Sequence, residues 1–159
     1  MMIALLAALV FSASSTQAAG DPVLEAGAVL DRMHAAASHA DSDAYFDLFT
    51  PDARFIGTDA SERWSLAQFR AYATPYFSQG KGWTYHPHDR VATLAPGDCR
   101  CIVWFDELLN NDAYGLTRGS GVLRLTDDGW KIEQYVLSFT VPNDKAKSVV
   151  GLIAEGPAD

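Results

Sequence analysis

The sequence predicts an α+β domain: N-terminal helices packed on one face of a strongly curved antiparallel sheet that encloses a pocket. Three observations predict it. Between Asp21 and Phe77, apolar residues recur at three- and four-residue steps between helix-capping residues. From Gly82 to Val141 the period becomes strand-like, broken by turn residues at Ala95–Asp98, Asn110–Asp112 and Thr126–Gly129. Gly115, Gly119 and Gly121 then fall inside a single strand, where glycine marks a bulge or a close backbone approach, and so a bend. Helices first and a meander afterwards place the helices on one side of a sheet.

The elements follow in order. Asp21-Pro22 opens the first helix, with Asp as N-cap and Pro where a missing N–H costs nothing. Val23, Ala26, Leu30, Met33 and Ala37 form its apolar stripe. A second, short helix is capped by Asp41 or Ser42, carries Tyr45, Phe46 and Phe49, and stops at Thr50-Pro51. Ala53–Gly57 is a short strand. Ser65 and Gln68 make a capping box, with Trp64 and Phe69 as the flanking hydrophobic staple. That helix runs to Thr74-Pro75 and finishes near Phe77. Four strands are expected within Trp83–Leu94, Arg100–Leu109, Tyr114–Leu125 and Trp130–Val141, the first an edge or a bulge because it contains Pro87. The tail from 144 to 159 holds a short apolar stretch, Val149–Ala154, that forms a helix or stays disordered.

Length and charge narrow the function. At 159 residues and 48% hydrophobic content, the chain supports one domain with a real core. Twelve Lys+Arg against 20 Asp+Glu give a net charge of −8, which disfavours nucleic acid and anionic lipid as partners. Met1–Ala19 has no charged side chain, Ile3–Phe11 is unbroken apolar, and Thr16 and Ala18 suit the −3 and −1 positions of a processing site. The expectation is a signal peptide over 1–18, export to the periplasm or beyond, and a single mature domain over 19–159 with its core at about 23–143. The apolar run is too short to span a bilayer, so no membrane is expected in the mature form. Cys99 and Cys101, two apart at a strand start, share a face, a poor arrangement for a mutual disulfide. Buried free thiols are the first expectation, and a strained or intermolecular disulfide the alternative.

Six segments occur in a set order between about Val29 and Asn143: Tyr45–Ala53 (YFDLFTPDA), Gly57–Trp64 (GTDASERW), Gly80–Tyr85 (GKGWTY), Trp104–Leu108 (WFDEL), Arg118–Leu123 (RGSGVL) and Trp130–Tyr135 (WKIEQY). Together they resemble the SnoaL-like branch of the nuclear-transport-factor and ketosteroid-isomerase superfamily. The resemblance implies a cone-shaped domain with a central pocket, often paired as a homodimer. It implies no single reaction, because the superfamily holds isomerases, polyketide cyclases, dehydratases and plain binding modules. No segment here matches the tyrosine and aspartate pair of the isomerases.

Candidate site residues come from strand alternation. An inward row of Cys101, Val103, Phe105 and Glu107 is favoured over the opposite face, because Arg100 belongs outside. Pairing Leu125 with Trp130 across the Asp127-Asp128 turn sends Trp130, Ile132, Gln134 and Val136 inward, and Lys131, Glu133, Tyr135, Leu137 and Phe139 outward. Trp64, Phe105, Gln134, Tyr85 and Arg118 are therefore the expected ligand-binding residues. Glu107 and Asp59 are the candidate catalytic bases, since isomerase or cyclase chemistry needs a base beside an acidic C–H. The opposed reading pairs Glu107 with Arg118 or Arg63 as a sheet anchor. Tyr72, Tyr76 and Tyr85 are candidate donors to a developing oxyanion. His86 and His88 begin a possible metal site without further ligands, so neither metal nor cofactor is expected.

The first functional expectation is an exported domain that binds a small, largely apolar molecule. The alternatives are a cofactor-independent isomerase, cyclase or dehydratase, and a dimeric interaction module without a small ligand. A homodimer is expected through the outer sheet face around Tyr135, Leu137 and Phe139. N-terminal sequencing of protein secreted from an expressing host should return Ala19 or Gly20 as the first residue, and an intact Met1 would overturn the leader.

Overall fold

The computed structural model describes residues 20–155; the predicted leader lies outside them. Four helices, α1 (Pro22–Ser38), α2 (Ser42–Asp47), α3 (Leu66–Phe77) and α4 (Ala146–Ala154), accompany six strands. The strands are β1 (Phe49–Ile56), β2 (Arg63–Ser65), β3 (His86–Leu94), β4 (Ile102–Asn111), β5 (Gly115–Thr126) and β6 (Gly129–Phe139). They form one open sheet in the order β2-β1-β6-β5-β4-β3. The sheet is mixed, not wholly antiparallel, because β1 runs parallel to β6. Nothing local could have revealed this, since the paired strands lie at opposite ends of the domain.

Local chemistry sets the helix ends. The Asp21 side chain accepts from Val23 N at 2.9 Å, and the Asp41 side chain accepts from Ala44 N at 3.0 Å. At α3 the capping box is reciprocal: Gln68 N donates to Ser65 Oγ, and Ser65 N donates to the Gln68 side chain. The staple closes beside it, with the Trp64 and Phe69 rings 5.6 Å apart. Pro75 lies inside the last turn of α3, where it forgoes the one bond its N–H would have given to Ala71 O, and the helix ends two residues later. Pro51 falls where the β1–β6 register shifts, between Phe49 and Arg54, so its missing N–H interrupts no regular ladder. Pro87 sits on β3, which is an edge strand as its sequence predicts.

The core lies between the helices and the inner sheet face. Leu30 and Met33 of α1, Tyr45 and Phe46 of α2, and Phe69 and Phe77 of α3 are buried against Val103, Phe105, Leu109, Leu123, Ile132 and Tyr135. Alternation along β4 is as expected, with Val103, Phe105, Glu107 and Leu109 inward. On β6 it is not. Leu123 pairs with Ile132 but Val122 pairs with Gln134, so Glu133 is an extra residue in the ladder. The bulge reverses every side chain beyond it: Tyr135 and Leu137 turn into the core, while Gln134 takes the outer face. The expected outward patch of Tyr135, Leu137 and Phe139 is thereby dissolved, and Phe139 packs edge-on to Tyr114.

The cysteines also differ from the first expectation. Cys99 and Cys101 are disulfide-bonded, with Cα atoms 5.1 Å apart. They precede β4, and Arg100 between them takes a positive φ of 47°, so the strand geometry that disfavours pairing does not apply.

Gly121 stands next to the bulge, between Phe105 and Tyr135, where an added Cβ would strike the carbonyl oxygen of Gln134. Gly121→Ala should therefore cost about 1–3 kcal/mol in urea unfolding, as overpacking does. Gly151→Ala on α4, where a Cβ meets nothing, is the matched control and should not lower stability.

Candidate functional site

Two buried groups and one partly buried cation, of different sequence origin, meet inside the cone. Glu107, on the inner face of β4, is completely buried. Its Oε1 lies 2.7 Å from Nε2 of His34, which α1 places on its core-facing side. Its Oε2 accepts from Nε of Arg90 at 2.7 Å. Arg90 continues outward, its Nη1 donating to Gly27 O at 3.0 Å and pairing with Asp31 at 2.8 Å. Gly27, Asp31 and His34 fall at i, i+4 and i+7 of α1, so one helical stripe holds both ends of the chain. Arg90 reaches inward where the β3–β4 register shifts, beside Asp89 with its φ of 49°.

A buried lone carboxylate takes up a proton; this one does not. Burial pushes the Glu107 carboxyl up, but contact with His34 and then with the Arg90 guanidinium outweighs it and holds it below the ordinary glutamate value of 4.5. An ionised carboxylate only accepts hydrogen bonds, so His34 Nε2 must carry the hydrogen it shares with Oε1. In the neutral ring Nδ1 then keeps its lone pair, and it has no hydrogen-bond partner among the described residues. The Tyr135 hydroxyl also approaches Oε1, at 3.5 Å. Burial, reinforced by Glu107, raises the Tyr135 phenol well above its usual value, so it stays protonated.

His34 and Tyr135 face a cavity of about 160 Å³. Its wall is otherwise largely aromatic, with Phe55, Trp64, Phe69, Tyr72, Trp83, Tyr85 and Tyr114, and it includes Glu62 and Thr58 from the β1–β2 loop. Burial pushes the Tyr85 hydroxyl up to about 12. The lining is thus apolar, with one imidazole, several neutral phenols and one carboxylate, a surface suited to a small apolar molecule with a polar edge.

Trp64 and Tyr85 line this cavity. Phe105 is buried behind it, its ring 5.8 Å from Tyr135. Glu107 reaches the cavity through His34, and its cation is Arg90, not Arg118 or Arg63. Gln134 is on the outer face because of the β6 bulge. Arg118 is there too, 3.8 Å from Asp106. Asp59 is exposed in the β1–β2 loop, held by both the side chain and backbone N–H of Ser61, which lower its carboxyl; Glu62 of the same loop lines the cavity instead. Among the described residues no group of three or more His, Cys, Asp or Glu side chains is placed to hold a metal ion.

Sequence reasoning missed His34, Arg90 and Tyr135. For His34 a signal existed: it lies four residues after Leu30, on the apolar stripe of α1, where a polar side chain needs a buried partner. Arg90 and Tyr135 owe their direction to irregularities in the strands, which alternation cannot anticipate.

The SnoaL-like domain family matches residues 27–142, most of the chain. The chain belongs to this family. Solved structures agree on the SnoaL-like fold. A provisionally named dehydratase of the NTF2-like family from Streptomyces avermitilis superposes with a TM-score of 0.64 at 14% identity, over 76% of this chain and 97% of its own. A provisionally named aromatic ring hydroxylase from Novosphingobium aromaticivorans gives 0.61 at 20% identity, over 76% and 90%. A ketosteroid isomerase-like protein from Erwinia carotovora atroseptica gives 0.56 at 16% identity, over 77% and 98%. At such identities the likeness establishes the fold alone. No curated protein sequence matches the chain.

The lowered Glu107 value sets a sign for pH dependence. Its stabilising contribution is fully present above the ordinary glutamate value of about 4.5 and fades as pH falls below it toward the lowered folded-state value. Urea unfolding should show this acid slope in the native protein and a shallower one in Glu107→Gln. Arg90→Met, which leaves the carboxylate without its guanidinium, should lose about 3 kcal/mol at neutral pH.

Proposed function

We propose that this SnoaL-like domain binds a small, largely apolar molecule in the cone and moves a proton on it without a cofactor, with His34 Nδ1 as general base. The observation that carries this reading is the His34–Glu107–Arg90 chain. It fixes the imidazole tautomer, holds the ring in the wall of a largely aromatic cavity, and leaves Nδ1 as the ring's free acceptor. Glu107 is then a positioning residue and not the base, because Arg90 and His34 keep both its oxygens engaged. Tyr85, a protonated phenol in the same wall, supplies a hydrogen bond to an oxygen that gains charge as the proton leaves carbon. Abstraction of a proton beside a carbonyl, the first step of isomerisation and of many dehydrations, needs no more than these groups.

The cavity also bears on the rival reading of an interaction module, which calls for a filled cone. Export and pairing of two copies belong to the same proposal. The apolar leader in the sequence supports export. Pairing is supported by the half-exposed Trp104 and its cross-strand neighbour Val122 on the outer face.

The test is deuterium incorporation from heavy water into a panel of cyclic ketones and β-hydroxy ketones, followed by NMR. The native protein should exchange a proton beside the carbonyl of at least one member. His34→Gln should slow that exchange about 10²-fold or more while the protein stays folded and still binds the ketone. Equal exchange in the two proteins would overturn the assignment of His34.

A further inference from the structure

The chain's only two cysteines, Cys99 and Cys101, are joined across a single residue, and little in the fold depends on the bond. Both lie in the connection between β3 and β4, so the disulfide ties no helix to the sheet and no strand to a distant neighbour. The backbone already closes that connection. Ala95 N donates to Ile102 O at 2.9 Å, and Leu125 N of β5 donates to Cys101 O at 2.8 Å. A disulfide stabilises a fold more the longer the loop it closes, and this loop spans a sequence separation of 2. Closure also carries a backbone cost, because Arg100 is held at a φ of 47°, a region that residues with a Cβ avoid. Residues Pro96 to Arg100 are all exposed, and Cys101 is half-buried. Exposed disulfides that hold their surroundings in an unfavourable conformation are the readily exchanged ones.

We propose that Cys99–Cys101 is a redox-active disulfide that accepts two electrons from a dithiol in a polypeptide. The site is separate from the cone, whose lining includes neither cysteine. A thiolate of the dithiol attacks Sγ of Cys99, the more exposed of the pair. The Cys99–Cys101 bond breaks, and Cys101 leaves with the electron pair and takes up a proton. The second thiolate of the dithiol then attacks its partner sulfur in the mixed disulfide, and Cys99 leaves as a thiolate that is protonated in turn. The dithiol ends as a disulfide and the cysteine pair as two thiols. Return of Arg100 to negative φ favours exchange in this direction. A low-molecular-weight disulfide such as oxidised glutathione restores the pair by the reverse route. A polypeptide is the fitting partner because Cys99 stands on an open turn and not in a pocket. Next to it in that turn, Gly97 has open space where a side chain would be, so an extended chain can approach.

The test equilibrates the native protein with mixtures of reduced and oxidised glutathione, and separately with a reduced synthetic peptide bearing two cysteines. Alkylation stops each reaction, and mass spectrometry reads the redox state of both partners. Glutathione should open the disulfide while the protein stays folded, with amide shifts confined to the β3–β4 connection and the melting temperature held. Arg100→Gly, which removes the backbone cost, should make the bond about threefold to tenfold harder to reduce. Arg100→Ala keeps that cost and removes only the charge, so it should behave as the native protein does. The peptide should be oxidised by the native protein and stay reduced with the Cys99→Ser, Cys101→Ser double variant. A bond that stays closed until the protein unfolds, or a melting temperature that falls on reduction, would make it a structural crosslink and overturn the proposal. Equal reducibility of the native protein and Arg100→Gly would overturn the part assigned to Arg100. Oxidation of dithiothreitol without oxidation of the peptide would overturn the polypeptide as partner.

Discussion

A full negative charge sits on a side chain with no exposure to water, and the inner architecture is arranged around that fact. Left alone, Glu107 would cost several kcal/mol to ionise in such a place, and it would protonate instead. Two elements that are distant in sequence must therefore reach it, α1 with His34 and β3 with Arg90. This requirement fixes how α1 lies against the sheet. The helix must present Gly27, Asp31 and His34 to one side, and the edge strand must distort to turn Arg90 inward. A helix and an edge strand that hydrophobic packing alone could have let slide are tied to one register by charge.

The bulge in β6 is the second fixed point. By admitting Glu133 as an extra residue it moves Tyr135 and Leu137 from the outer face to the cavity and sends Gln134 away. Glu133 pairs on the outside with Arg124 at 2.8 Å, so the inserted residue is itself anchored. Gly119 and Gly121 on the neighbouring strand make room for the consequence. An added Cβ at Gly119 would meet the Tyr135 hydroxyl, and one at Gly121 the Gln134 carbonyl. The glycines that mark a bend in the sequence thus serve a narrower purpose here, which is to admit Tyr135 beside Glu107.

This explains what could be read from the residues and what could not. Capping chemistry is local, so Asp21, Asp41 and the Ser65–Gln68 box announced three helices correctly. The inward row of β4 was legible because that strand keeps its alternation from Val103 to Leu109. Trp64 and Tyr85 were legible as cavity residues, the first because the staple fixes it at the entry to α3. Gln134 and Arg118 were misplaced for different reasons: a bulge reversed the first, and the second was offered as a partner for a carboxylate on the opposite face of the sheet. Arg90 could not be found by pattern, because its role depends on a distortion of β3 and on a helix more than fifty residues away. The parallel pairing of β1 with β6 was hidden for the same reason, since it is decided by the closure of the whole chain.

The chemistry follows from an asymmetry in how the carboxylate is satisfied. Oε2 is bound by a permanent cation, whereas Oε1 is met by an imidazole and by a phenol that stays protonated. Arg90 helps to keep Glu107 ionised, and His34 stands between that fixed charge and the cavity. Their order from the exterior, Asp31, Arg90, Glu107, His34, runs from an exposed carboxylate to an imidazole in the wall of the aromatic cavity. That order is the one the proposed role of His34, a base acting on a buried apolar molecule, calls for.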